Sequence, residues 1–231
     1  PSGLASAYAA AQNGARVILA EDKSRFGGSL LTSEVSIGNQ SGQEWTENII
    51  SELKSMPNVT VKNRSQVFGY YDHNMLVMSE RISDHLPKTK KYTPKQRLWY
   101  IRAKEVLISS GSIERPLVFG NNDIPGVMLS SAAKEYLKIY GVLVGKKPLV
   151  FTNNDSGYET AIEFKKNGIN PLIFDVTNAE DIKNAASEVQ KHLITGENLT
   201  GLVNNAGVAM GGPVTLIDTD VFRKQFEECR S

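Results

Sequence analysis

The stretch Pro1-Ser2-Gly3-Leu4-Ala5-Ser6-Ala7-Tyr8-Ala9-Ala10-Ala11-Gln12-Asn13-Gly14-Ala15-Arg16-Val17-Ile18-Leu19-Ala20-Glu21-Asp22 carries the decisive pattern of this chain. It runs from a glycine loop into an Ala-rich segment without proline, then a glycine, a short apolar run and two acids. Alanine favours helix and the apolar run favours a buried strand, so the order predicted is glycine turn, helix, turn, strand, acid. That is the opening of a dinucleotide-binding βαβ unit, in which the helix N-terminus receives a pyrophosphate and the acid meets the ribose. Glu21 follows Gly3 by close to the roughly 20 residues that separate these two features in such a unit. Only the back half of the glycine loop is present, and the strand expected ahead of it is missing before Pro1, so the chain reads as a fragment.

Outward from this unit the same alternation continues. Gly27-Gly28 gives a turn or a close backbone approach, because neither residue carries a Cβ. Residues 44–53 read as a helix with Trp45, Ile49, Ile50 and Leu53 at helical spacing. Residues 59–62 and 65–71 read as strands. From Met75 to Ile108 the period changes to two, predicting strands over 76–81, 97–102 and 105–108 with a polar loop between the first two. The stretch 107–112 reads as a buried strand ending at the Gly111 turn, and Trp45, Trp99 and Tyr100 read as core side chains. A helix over 130–140 follows the linker 121–126. A second βαβ begins with a strand at 148–152, a turn at 153–157 and a helix at 158–166. A strand at 172–176, an amphipathic helix at 179–193 with Ile182, Ala186, Val189 and Leu193 on one face, and a strand at 199–205 complete the pattern.

Composition narrows the classes. The chain has 231 residues, 40% hydrophobic and 22% charged, with a formal charge of +1, so bulk charge gives no case for nucleic acid or an anionic membrane surface. One cysteine forbids an internal disulfide, and the three scattered histidines offer no metal-ligand spacing. No apolar run approaches a membrane span and no signal peptide is visible, which predicts a soluble, cytoplasmic chain. The basic stretch Lys88-Thr89-Lys90-Lys91 reads as a solvated loop. Ser156 lacks the flanking glycines and the histidine of a nucleophile elbow, and no catalytic residue is assigned.

Five blocks in order carry a resemblance: PSGLASAYAAAQNGARVILAED, FGGSLL, LISSGSIERPLVF, NNDIPGVMLSSAAKEYLKIYGV and VFTNNDSGYETA. Up to about residue 168 the chain resembles the alpha-subunit family of heterotetrameric sarcosine oxidases, relatives of the two-dinucleotide-domain flavoprotein reductases. The resemblance implies an NAD-binding subunit in an enzyme that oxidatively demethylates sarcosine, a small-molecule amine. Flavin-bearing subunits of the hetero-oligomer would carry the redox step. It further implies that Ser2 and Gly3 lie against the pyrophosphate and that Glu21 and Asp22 meet the adenosine ribose. Lys23 and Ser29 would flank the adenosine and phosphates, Val67 would contact adenine through its backbone, and Gly111 would close over the cofactor. FAD is the alternative occupant, since an acid on the ribose serves both nucleotides.

From about residue 171 the blocks PLIFDVTNAEDIKNAASEV and LTGLVNNAGVAMGGPV resemble the middle of a short-chain dehydrogenase/reductase. That likeness implies an adenine contact at Asp175 and a cofactor-side run at Asn204, Asn205, Ala206 and Gly207. The family's opening glycine loop and its Tyr-x-x-x-Lys are missing, so the segment would lack the proton donor for carbonyl reduction. The expected fold is α/β: a Rossmann-like FAD/NAD(P)-binding domain with an inserted antiparallel β-meander at about 67–106, then a second βαβαβ Rossmann-like segment. The expected divisions are 1–120, 121–170 and 171–231. Two other readings stay open: a non-catalytic truncated or fused fragment, and a short-chain reductase without its catalytic pair.

Overall fold

Small side chains at Ala7 and Ala11 let the first helix lie close to its neighbours, and the rest of the first unit follows from that. The computed structural model describes residues 1–116, 119–192 and 201–205, and for 186, 192, 201, 204 and 205 the backbone alone. It divides into two units, Pro1–Gly111 and Ser112–Ser231.

In the first unit, α1 (Ser2–Gln12) buries Leu4, Ala7 and Ala11 along one face. The chain then reverses into β1 (Val17–Ala20). The Asn58 side-chain amide secures that reversal, donating to the carbonyls of Ala11 at 3.0 Å and Ala15 at 2.7 Å. A short hairpin, β2 (Ser36–Ile37) and β3 (Gln40–Ser41), leads into α2 (Gly42–Ser55). Ser41 and Glu44 form a reciprocal capping box there, with Ser41 Oγ accepting from the Glu44 amide and the Glu44 carboxylate accepting from the Ser41 amide. β4 (Val59–Lys62) pairs parallel with β1, Val17 opposite Val59 and Ala20 opposite Lys62. Leu4, Ala7, Ala11, Ile49 and Leu53 form the core between the helices and this sheet, with Trp45 packed against it.

β5 (Ser65–Tyr71), β6 (Met75–Arg81) and β7 (Gln96–Arg102) make the expected antiparallel meander, in the order β5-β6-β7. A bulge between Val67 and Gly69 shifts the β5–β6 register. Met78 is fully buried and Trp99 partly buried, but Tyr100 is 68% exposed, which corrects its assignment to the core. It lies opposite Val77 on the face that carries exposed Phe68, Tyr71 and Leu98. A second correction concerns 105–108. No strand forms there, and Leu107 and Ile108 are 66% and 72% exposed. Three apolar residues satisfy a strand pattern, but a strand also needs a ladder partner for its amides, and none pairs here among the described residues.

The second unit contains β8 (Val127–Leu129), α3 (Ser130–Tyr140), β9 (Pro148–Thr152), α4 (Asp155–Lys166), β10 (Leu172–Asp175), α5 (Ala179–His192) and β11 (Gly201–Asn205). Its four strands are all parallel in the order β10-β9-β11-β8. Residue 170, where the resemblance is expected to change, therefore lies between two paired strands of one sheet. Val150, Val203, Ala133, Leu137, Ala161 and Phe164 close the core, and Ser130 and Thr160 share a buried hydroxyl contact of 2.6 Å between α3 and α4. α5 forms as the expected amphipathic helix, with Ile182 of its apolar face 46% exposed. Leu193 of that face and residues 199–200 of the last expected strand lie outside the described residues.

Candidate functional site

The acid turn at the end of β1 is built by backbone. The Glu21 amide donates to Lys62 O at 2.9 Å, Ser65 N donates to Glu21 O at 2.8 Å, and Arg64 N donates to Lys23 O at 3.0 Å. One Glu21 carboxylate oxygen accepts from the Lys23 amide at 2.9 Å, fixing the side chain across its own turn. Asp22 points outward with its side chain 60% exposed. Arg81, at the end of β6, reaches it twice: Nη2 donates to the Asp22 carbonyl at 2.7 Å and stands 3.5 Å from its carboxylate. Sequence spacing finds Glu21 and Asp22 but not Arg81, which arrives from a strand 59 positions away.

Because α1 and β1 are joined by a tight reversal, the N-terminus of α1 and the acid end of β1 lie at the same end of the unit. As in any α-helix, the first-turn amides of α1 have no intrahelical acceptor and form the positive end of the helix dipole. Gly3 carries a specific steric constraint: a Cβ there would lie 3.1 Å from Ser109 Cβ. The segment leading to Gly111 therefore passes directly over the first turn of α1. Gly111 itself has φ +73 and open space around it, a conformation that favours glycine. Ser29 is exposed in the helical turn Gly28–Leu31, where its carbonyl accepts from Thr32 and Ser33. Val67 sits at the bulge of β5, opposite Met78.

Behind Arg81, Glu80 is the most densely engaged acid of the unit. Its carboxylate accepts from Lys62 at 2.9 Å and from Trp99 Nε1 at 2.8 Å, with Arg97 at 3.5 Å. Burial alone would raise its pKa; the hydrogen bonds from Lys62 and Trp99 and the charges of Lys62 and Arg97 outweigh that and hold it below the usual carboxylate range. Lys62 and Arg97 also lie over the Trp99 ring, at 5.1 and 5.7 Å from its centroid.

In the second unit Asp175, Thr152 and Asn205 occupy one row across β10, β9 and β11, and Asn204 pairs with Phe151 one step back. β10 and β11 flank β9 on opposite sides, so this row marks a topological switch point at the strand C-termini. The turn between β9 and α4 is closed by its own side chains. Thr152 Oγ1 donates to Asn154 O and accepts from its amide, while Asn154 Oδ1 accepts from Ser156 N and Oγ. Asn154 caps α4, which is why that helix begins at Asp155 rather than at Tyr158. Asp175 forms a turn of its own: Oδ1 accepts from Thr177 N and Oγ1, and Tyr158 OH donates to Oδ2 at 3.1 Å. The two bonds from Thr177 hold the Asp175 carboxyl below its ordinary range. Burial, the bond to Asp175 and its charge push the Tyr158 hydroxyl up. Ala206 and Gly207, the rest of the expected cofactor-side run, lie outside the described residues. Among the described residues no cluster of His, Cys, Asp or Glu is placed to hold a metal, and no helix is long and apolar enough to cross a membrane.

A parallel sheet, a helix N-terminus facing an acid turn and an inserted meander define a Rossmann-like fold of the FAD/NAD(P)-binding class. Solved structures with this fold include L-proline dehydrogenase from P. horikoshii, with TM-score 0.61 and 22% identity over 76% of this chain and 33% of that one. An HOCl-induced flavoprotein disulfide reductase from Escherichia coli follows, with TM-score 0.51 and 16% identity, covering 88% of this chain and 46% of that one. In sequence, the chain is similar over most of its length to sarcosine oxidase subunit alpha. Identity is 39% to the protein of Rhizobium meliloti (strain 1021), over 95% of this chain and 23% of the relative. It is 38% to that of Corynebacterium sp. (strain P-1), over 73% of this chain and 18% of the relative. The chain thus spans about a quarter or less of the relatives' length. Residues 143–228 match the short chain dehydrogenase family. The first of these alignments runs well past residue 170, so the two similarities overlap.

Proposed function

We propose that the first unit binds the adenosine and pyrophosphate end of NAD for an oxidoreductase assembly acting on sarcosine. The observation that carries this reading is the placement of the α1 N-terminus and the Glu21-Asp22 turn at one end of the same α1–β1 reversal. The residues present fit such a group. Ser2 and Gly3 offer amides to a pyrophosphate, Gly3 leaves a tight fit against Ser109, and Glu21 and Asp22 offer carboxylates to ribose hydroxyls. Lys23, Ser29, Val67 and Gly111 complete the set of contacts. NAD, when bound, would supply hydride chemistry; this chain's residues hold and orient it. Flavin-bearing partner subunits and the amine substrate come with the likeness to the sarcosine oxidase relatives. FAD fits the same acid turn and is the competing ligand.

The second unit has a switch-point row but a self-closed turn, so it favours a structural role over a second phosphate site. Asp175 supports this, because both of its oxygens are already engaged. The test is equilibrium binding of NAD and FAD to the full chain and to Glu21→Ala. Binding that weakens about tenfold or more in the variant supports the ribose role, taking a charge-assisted hydrogen bond as the loss. Equal binding by both proteins contradicts it.

A further inference from the structure

The contacts of Arg81 point to a specificity device at the acid turn, and the inference rests on the nucleotide reading above. We infer that Arg81 is a positioning residue that sets the site for an unphosphorylated adenosine ribose. The same guanidinium is then a latent 2′-phosphate receptor, held shut by Asp22.

A site that accepts a 2′-hydroxyl offers a carboxylate; one that accepts a 2′-phosphate offers an arginine nearby. This turn contains both, in contact. Arg81 Nη2 spends its shortest bond on the Asp22 carbonyl, at 2.7 Å, and stands 3.5 Å from the Asp22 carboxylate. The arginine thus fixes the backbone of the acid turn, and its charge faces the carboxylate it positions, with Asp84 a second acid within reach of its field. Its own backbone is anchored, since Arg81 N donates to Arg64 O at 2.9 Å, and Arg64 N donates to Lys23 O. The side chain is 41% exposed, so solvent and ligand reach it without rearrangement. Glu21 is held across its own turn, one carboxylate oxygen accepting from the Lys23 amide. Lys23 and Arg64 are the other cations on this turn, and the double variant separates them from Arg81. Removing the Asp22 carboxylate leaves the guanidinium on its backbone bond with its remaining donors open to a phosphate, which it can meet in a fork geometry.

The experiment compares dissociation constants of NAD+ and NADP+ on the full chain, in the wild type, Asp22→Ala and Asp22→Ala/Arg81→Gln. The ratio of the two constants within one sample does not depend on the fraction of protein folded. The wild type is expected to favour NAD+, Asp22→Ala to move the ratio towards NADP+ by about tenfold or more, and the double variant to lose that gain. Arg81→Gln alone should weaken NAD+ binding, with Arg81→Lys restoring part of it. An unchanged ratio in Asp22→Ala overturns the inference and leaves the nucleotide site standing. A gain that persists in the double variant also overturns it, assigning the phosphate to Lys23 or Arg64. A wild type that binds neither nucleotide overturns both readings.

Discussion

Glu80, with its side chain 14% exposed, links the meander to β4 through Lys62 and ties β6 to β7 through Trp99 and Arg97. Replacing it by Gln keeps the shape and removes the charge that Lys62 and Arg97 face. Glu80→Gln should therefore cost about 1.5–3 kcal/mol in urea denaturation followed by tryptophan fluorescence, the range for hydrogen bonds to charged groups. The pH dependence has a definite sign. The folded Glu80 pKa is lowered, so its contribution is present above the ordinary carboxylate range and lost as pH falls through the lowered value. The variant should flatten this acid limb. Asp175 acts in the same direction in the second unit, and Tyr158 in the opposite one. The raised pKa of Tyr158 means its contribution is present below the ordinary phenol range and lost as pH rises through the raised value. Asp175→Asn should reduce the acid sensitivity of the second unit and leave that of Glu80 intact, read by far-UV circular dichroism across pH.

Among elements, α2 has the most complete local signal. Ser41→Ala opens its capping box and should cost about 1 kcal/mol in chemical denaturation. Such local signals explain why so much of the fold was legible in the chain. The α1 reversal, the meander strands, α3 and β9 follow from spacing, glycine and β-branched runs alone. What the chain hid was tertiary. Val106, Leu107 and Ile108 have a strand's composition, yet a ladder partner is a property of the fold and not of the run. The three-residue β8 is too short to show a period, and its pairing with β11 comes from 75 positions away by register, Val127 opposite Leu202. At the candidate site, Glu21 and Asp22 were legible because a helix and a strand of fixed rise set their distance from Gly3. Arg81 was not, since nothing local marks which end of β6 meets the acid turn.

For the whole molecule, the two-unit division has a convenient reporter. Both tryptophans, Trp45 and Trp99, lie in Pro1–Gly111, and the second unit has none. Tryptophan fluorescence therefore follows the first unit, while far-UV circular dichroism follows both. Their thermal transitions should not coincide, because the units have separate cores and a shared all-or-none transition is not imposed by the contacts within either one. A single coincident transition would contradict independent units. The central claim, a nucleotide site on the first unit, is tested most directly by adding NAD to this melt. NAD at about 100 times its dissociation constant should stabilise the fluorescence-detected transition by roughly 2.7 kcal/mol. Glu21→Ala should lose most of that shift, and the second transition should stay in place. No shift of the fluorescence transition at millimolar NAD, in a chain whose circular dichroism shows it folded, would contradict the account.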